Sequence, residues 1–117
     1  MSKAANVFCI LPGKPVEDRI EEVLAERGIS KVSVMSAVLC PGGAVDVTLI
    51  GEAGSGKKLR AARVVYTNGA KGSLVADKIE KVSVERGISK VSAMSTMIHE
   101  NGLIEVLLVG VGVKKKP

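Results

Sequence analysis

The sequence has almost no aromatic residues: of 117 positions, one is phenylalanine (Phe8), one is tyrosine (Tyr66) and none is tryptophan. Val, Ile, Leu, Met and Ala must therefore fill the interior. Single-strand nucleic-acid readers, which stack bases on aromatic side chains, are disfavoured. Cysteine is scarce too. Cys9 and Cys40 are too few for a disulfide framework and their spacing matches no metal motif, so the expectation is two reduced thiols in a cytoplasmic protein. No apolar run approaches the ~18 residues of a membrane helix. The N-terminus lacks the basic start, long apolar stretch and small-residue cleavage site of a secretory signal. No membrane partner is expected.

Acidic residues are missing from two stretches. Residues 53–76 carry Lys57, Lys58, Arg60, Arg63 and Lys71 without an Asp or Glu, and residues 106–117 carry Lys114, Lys115 and Lys116, again without an acid. These eight cations more than account for the net charge of +5, because the other nine Lys and Arg face twelve Asp and Glu. A basic connector and a basic tail on a slightly acidic body point to an anionic partner.

The chain also repeats itself. Shifted by 59 positions, residues 16–52 lie on residues 75–111 without a gap, with 19 of 37 identical; the heart of the match is ERGISKVSVMS against ERGISKVSAMS. Ala4-Ala5-Asn6-Val7 resembles Ala61-Ala62-Arg63-Val64 at a two-residue offset. Each half reads as a βαββ unit, residues 1–58 and 59–117 together making a single domain. Val7–Leu11 and Val64–Thr67 are short apolar runs of strand type. Val16, Ile20, Val23 and Leu24 recur at helical spacing, with Pro15 suited to the first helical position and Gly28 to a left-handed cap. The second helix is expected from Ser73, as N-cap, to Arg86. Lys31–Leu39 and Val45–Ile50 alternate, as do Lys90–Ile98 and Ile104–Val109, around Gly43 and Gly102 in the turns.

Alternation assigns Val32, Val34, Val45, Val47 and Leu49 to the face under the first helix, and Val91, Ala93, Ile104, Val106 and Leu108 to the copy. The opposite face then holds Ser33, Met35, Asp46 and Thr48, with Ser92, Met94, Glu105 and Leu107 in the second unit. The architecture this implies is α+β, a two-layer sandwich of two tandem βαββ repeats, ferredoxin-like or related. A pseudo-twofold would relate the halves, making Met35 and Met94 equivalent, in one antiparallel-rich sheet with both helices on one side. The uncovered face then suits a partner subunit, hence a homo-oligomer.

Gly51-Glu52-Ala53-Gly54-Ser55-Gly56-Lys57-Lys58 matches the phosphate-loop pattern GxxxxGK[ST] except at its last position, where Lys58 replaces the magnesium-holding hydroxyl. The segment that follows reads as a strand where that motif needs a helix, so a flexible connector is the plainer reading. Both helices start after a Gly/Lys loop, around Gly13-Lys14 and around Lys71-Gly72-Ser73, and free backbone N–H groups at a helix start attract anions. The repeat aligns Cys40 with His99 and Asp46 with Glu105. One histidine without a metal-binding spacing makes no metal site, the two acids read as solvated outward-facing groups, and no serine has a histidine-based activator. The chain is read as non-enzymatic, with no catalytic residue, metal or cofactor.

The run Asn6-Val7-Phe8-Cys9-Ile10-Leu11-Pro12-Gly13-Lys14-Pro15-Val16, followed by a helix and then Gly28-Ile29-Ser30-Lys31-Val32, resembles the opening of Alba, the archaeal chromatin proteins. The resemblance covers about the first third of the chain, and the closing strand with its Lys tail is also similar. It implies a small, basic, cytoplasmic dimer that binds DNA and RNA, with Lys14 as the loop lysine on nucleic acid. Alba places a second helix after the second strand, whereas residues 44–50 read as strand here. The functional expectation is phosphate-directed nucleic-acid binding through Lys14, Lys57, Lys58, Arg60, Arg63 and Lys71, with Gly13, Gly72 and Ser73 as anion loops. The alternative is an oligomeric regulatory or structural module holding a small anionic ligand at the helix N-termini.

Overall fold

The computed structural model describes residues 2–10, 15–53, 59–67, 69, 71–99 and 101–112. The elements run β1 (Ser2–Ile10), α1 (Val16–Arg27), β2 (Ile29–Cys40), β3 (Ala44–Ala53), β4 (Leu59–Thr67), α2 (Gly72–Glu85), β5 (Lys90–Ile98) and β6 (Leu103–Val111). The fold is α+β. Its strands form two antiparallel three-stranded sheets, sheet A in the order β1-β3-β2 and sheet B in the order β4-β6-β5. The single sheet with both helices on one side is therefore not what forms among the described residues.

Helix α1 buries the four residues that its apolar spacing selects, Val16, Ile20, Val23 and Leu24. Pro15 caps it from outside (ψ 136) instead of occupying its first position, and Gly28 closes it at φ 72, where a side chain would be strained. Helix α2 starts one residue before Ser73, so Lys71 is the N-cap and Ser73 supplies no side-chain cap. None of its residues is fully buried. Ser83 stands where α1 has Leu24, and Val84, exposed by 76%, where α1 has Ala25.

The two sheets share one pairing plan. Val32 pairs with Gly51 and Val34 with Ile50, while 59 positions later Val91 pairs with Gly110 and Ala93 with Val109. On the edge strands Val7 pairs with Val47 and Val64 with Val106, which preserves the two-residue offset of the sequence match. The register slips at Ser33 and again at Ser92, a β-bulge at the same place in each unit. One extra residue exchanges the faces of everything beyond it. Met35 therefore turns inward, 7% exposed, and Val34 outward, 57% exposed, the reverse of what simple alternation predicts.

Packing brings unlike faces together. The main core joins α1 and the helix-covered face of sheet A (Ala5, Val7, Met35, Val45, Val47, Leu49) to the helix-free face of sheet B (Leu59, Ala61, Met97, Leu107, Val109). The other face of sheet B forms a smaller cluster, Ala62, Val64, Val106 and Leu108, with Ile79 and Val82 of α2 against it. Strand β4 lies on α1 and β5 lies on β2, so α1 is wedged between the sheets where they part. Both faces of β6 are thereby covered, and its residues 105–110 are all buried. Met35 and Met94 hold equivalent places in the pairing, opposite Leu49 and Leu108, but in unlike surroundings: Met35 is buried while Met94 is 54% exposed.

Polar contacts fix the junction at its rim. Glu21 on α1 accepts a hydrogen bond from the Ala61 N–H of β4 (2.8 Å) and one from the Arg86 guanidinium (3.2 Å), and it pairs with Arg60 at 3.4 Å. Arg86, just past α2, also donates to Asp18 (3.0 Å) and to the Ala61 carbonyl (2.9 Å). Burial by itself would lower the Arg86 pKa, but the Asp18 hydrogen bond and the charges of Glu21, Asp18 and Glu17 raise it above its ordinary value. At the seam the Ala37 N–H donates to Ser95 Oγ at 2.9 Å.

Two stability predictions follow from these contacts. A Cβ at Gly51 would overlap the Lys31 carbonyl, and one at Gly110 the Lys90 carbonyl, because the bulges bring the strands too close for a side chain. Gly51→Ala and Gly110→Ala should each cost about 2–3 kcal/mol in urea denaturation. Gly42→Ala, at a turn glycine with φ 87 and open space around it, should cost only about 1 kcal/mol. Glu21→Ala strands the Ala61 N–H and part of the Arg86 charge, for about 2 kcal/mol. Arg19→Ala, which removes a surface pair with Glu22, should stay within about 0.5 kcal/mol.

Candidate anion-binding surface

Antiparallel pairing decides where the acid-free basic segments attach. Leu59, the first residue of β4, pairs with Val111, the last of β6, and Lys90, the first of β5, pairs with the same Val111. Ser89 strengthens this corner by donating to the Val111 carbonyl through its N–H (3.1 Å) and its hydroxyl (3.2 Å). Gly112 passes so near the Gly87 carbonyl that a Cβ would overlap it. Two segments thus join the body at one end of sheet B: the connector that ends at Lys57-Lys58 and the tail that carries Lys114–Lys116. Lys57, Lys58 and the tail lysines themselves lie outside the described residues, as do Gly13 and Lys14.

The two arginines named from the sequence are already engaged. Arg60 pairs with Glu21 in the junction, and Arg63 lies 3.6 Å from Glu105 Oε2. Their side chains remain 38% and 35% exposed, although the Arg60 Nε itself is buried, and an internal acid offsets the charge of each. Lys71 is exposed at the start of α2, beside exposed Gly72 and Ser73. The two helix starts, alike in sequence, differ electrostatically. Helix α1 carries Glu17 and Asp18 in its first turn, which compensate its positive end, whereas α2 has no acid there.

Glu105 overturns the expectation of a solvated outward acid, because it is 1% exposed. Its Oε1 lies 2.7 Å from His99 Nε2, and its Oε2 has no hydrogen bond and only the Arg63 ion pair. Glu105 is flanked by apolar residues on both sides, but so is its counterpart Asp46, and the flanking residues do not tell the buried acid from the half-buried one. Its counterpart Asp46 is half-buried on sheet A and accepts a hydrogen bond from Asn6 Nδ2 at 2.6 Å. The acids lie on different sheets and form no carboxylate pair.

Cys40 and His99, aligned by the repeat, open on the same cavity. They line one cleft of about 520 Å³ with Leu39, Pro41, Gly43, Ile98 and Asn101. No group of three metal-capable side chains occurs among the described residues. A second groove of about 330 Å³ runs beneath the first half of α2, between Leu74, Val75 and Lys78 on the helix and Val65, Tyr66, Thr67 and Leu103 on the sheet. The phosphate-loop-like string splits between the end of β3 and residues outside the description, and the chain resumes as strand β4 where a phosphate loop would enter a helix. No described helix is long and apolar enough to cross a membrane. Compared with known proteins, the chain matches no family model, no curated protein and no solved structure.

Proposed function

We propose that this protein binds an anionic polymer without chemical turnover, and that the polymer is nucleic acid held through its backbone phosphates. One observation carries the proposal: the Leu59–Val111–Lys90 corner joins two acid-free lysine segments at one end of sheet B. Contact through point charges suits a phosphate chain, since such binding is electrostatic and independent of sequence. Arg60 and Arg63 contribute less than their charge suggests, because Glu21 and Glu105 already face them. The descent from two tandem βαββ copies, related to ferredoxin-like sandwiches, belongs to the same proposal and is supported by the constant 59-residue offset of the bulged pairings. The resemblance to Alba, with Lys14 as its loop lysine, agrees with this partner. The rival reading, a small anion at a helix start, has one observation in its favour, the acid-free first turn of α2 beside Lys71.

Fluorescence titration of generic duplexes across salt concentrations tests both. If five lysines (Lys57, Lys58 and Lys114–Lys116) meet phosphates, log affinity should fall with log salt at a slope of about −4 to −5. Lys57→Ala with Lys58→Ala should weaken all sequences alike and reduce that slope by up to about 2. Binding that ignores this pair but is lost in Lys71→Ala would transfer the assignment to the α2 site. No binding at low salt would end the nucleic-acid reading.

A further inference from the structure

The junction inside the chain is made of parts that occur twice, and each part has an unpartnered counterpart at an end of the molecule. Within the chain, the helix face of the first unit receives the helix-free face of the second. That leaves one surface of each kind open: the helix-free face of sheet A, and the outer side of α2 together with β5. Most of the large apolar residues left exposed fall on these two surfaces. Phe8, Val34, Val38 and Ile50 are on sheet A, and Leu74, Val84, Met94 and Ile98 are on the other. We propose that the chain stacks head to tail on copies of itself, the open face of sheet A on one copy covering α2 and β5 of the next, by the same contacts that join its own two units.

The correspondence can be followed residue by residue. In the internal junction, Met35 and Leu39 of β2 pack with the cluster that holds Ala93, Met97 and Val109 of sheet B. Shifted by 59, the first pair becomes Met94 and Ile98, exposed by 54% and 71%. The second set becomes Val34, Val38 and Ile50, exposed by 57%, 57% and 43%. The seam hydrogen bond from the Ala37 N–H to Ser95 Oγ has its counterpart in the Thr96 N–H and exposed Ser36. The rim charges are conserved in sign: Asp18 and Glu21 become Asp77 and Glu80 on α2, both exposed, while Arg86 and Arg60 become Arg27 and Lys3, also exposed. Even the polar pair across the outer face recurs, Arg63 with Glu105 in sheet B and Asn6 with Asp46 in sheet A.

Such an interface is heterologous, so each added copy presents both surfaces again and the stack grows or closes into a ring. It is also weaker than the internal junction. Thr48 replaces Leu107 and Ser83 replaces Leu24, two polar residues at positions that are apolar and buried inside the chain. Association should accordingly be reversible and dependent on concentration.

End-blocking variants test the mode of assembly. Val38→Lys charges the sheet end and Met94→Glu the helix end, both at exposed positions. The wild-type mass by light scattering should rise with concentration beyond two chains of 12.2 kDa. Each variant alone should remain a single chain, with an unchanged circular dichroism spectrum and melting curve. An equimolar mixture should double in mass and stop there, because only one intact pair of ends remains. Glu80→Lys blocks the helix end in a second way and should be complemented by Val38→Lys in the same mixing experiment. A wild type that stays monomeric at its highest soluble concentration overturns the proposal. So does a mixture that stays monomeric. An Met94→Glu protein that still dimerises while Val38→Lys does not would also overturn it, in favour of two sheet A faces meeting about a twofold.

Discussion

Sheet B is covered on both sides, and the arrangement of the rest of the molecule depends on this. A three-stranded sheet under one short helix exposes an apolar face, and here the first unit supplies the cover with its own helix side. The chain thereby removes Leu107, Val109, Met97 and Ala61 from water in one step. At ~25 cal/mol per Å² of apolar surface, burying several such side chains outweighs what any single polar contact contributes. The Glu21–Arg86–Ala61 cluster then ties α1 to β4 at the rim.

The two halves of the internal sequence match differ at positions that bear on which way the junction forms. Leu24 and Leu107 lie in the covered surfaces, whereas their counterparts Ser83 and Thr48 lie on surfaces left open. A hydroxyl in place of an isobutyl group removes apolar contact and adds a group that must find a hydrogen bond when dry. The reverse pairing, α2 under the sheet A face, is thus the poorer of two similar options. Ser83 also leaves α2 without the large apolar side chain that α1 has in Leu24, and none of the residues of α2 is fully buried.

Element order, both hairpin turns, the glycine cap of α1 and the inward stripe of that helix were legible in the sequence, because each depends on neighbours within a turn or two. The bulges at Ser33 and Ser92 were not, and they reversed the faces of Val34 and Met35. A single extra residue leaves the alternating pattern intact in composition and changes only its phase. The fate of Arg60, Arg63 and Glu105 was hidden for a different reason. Arg60 finds its acid 39 positions earlier in the chain and Arg63 42 positions later, separations at which the local pattern of charge says nothing about pairing. Cys40 and His99 form an intermediate case, since the repeat aligned them but only the front-to-back docking of the units brings both to one cleft.

Front-to-back docking also bears on how weak charges could hold a polymer. A single lysine–phosphate contact gains little by itself, because solvent and salt screen it. Under the proposed function, five lysines on one chain would make a salt-sensitive site of modest affinity. In a head-to-tail stack the Leu59–Val111–Lys90 corner recurs once per copy, at a spacing fixed by the junction. A phosphate chain that reaches two corners binds the second at high effective concentration, and avidity can then exceed the affinity of one copy by orders of magnitude without a new contact. The polymer would in turn favour the stacked state by the same free energy, since linkage between binding and assembly is reciprocal. Under that proposal the polar Thr48 and Ser83 would keep contact between copies weak, so that assembly could be controlled by the polymer.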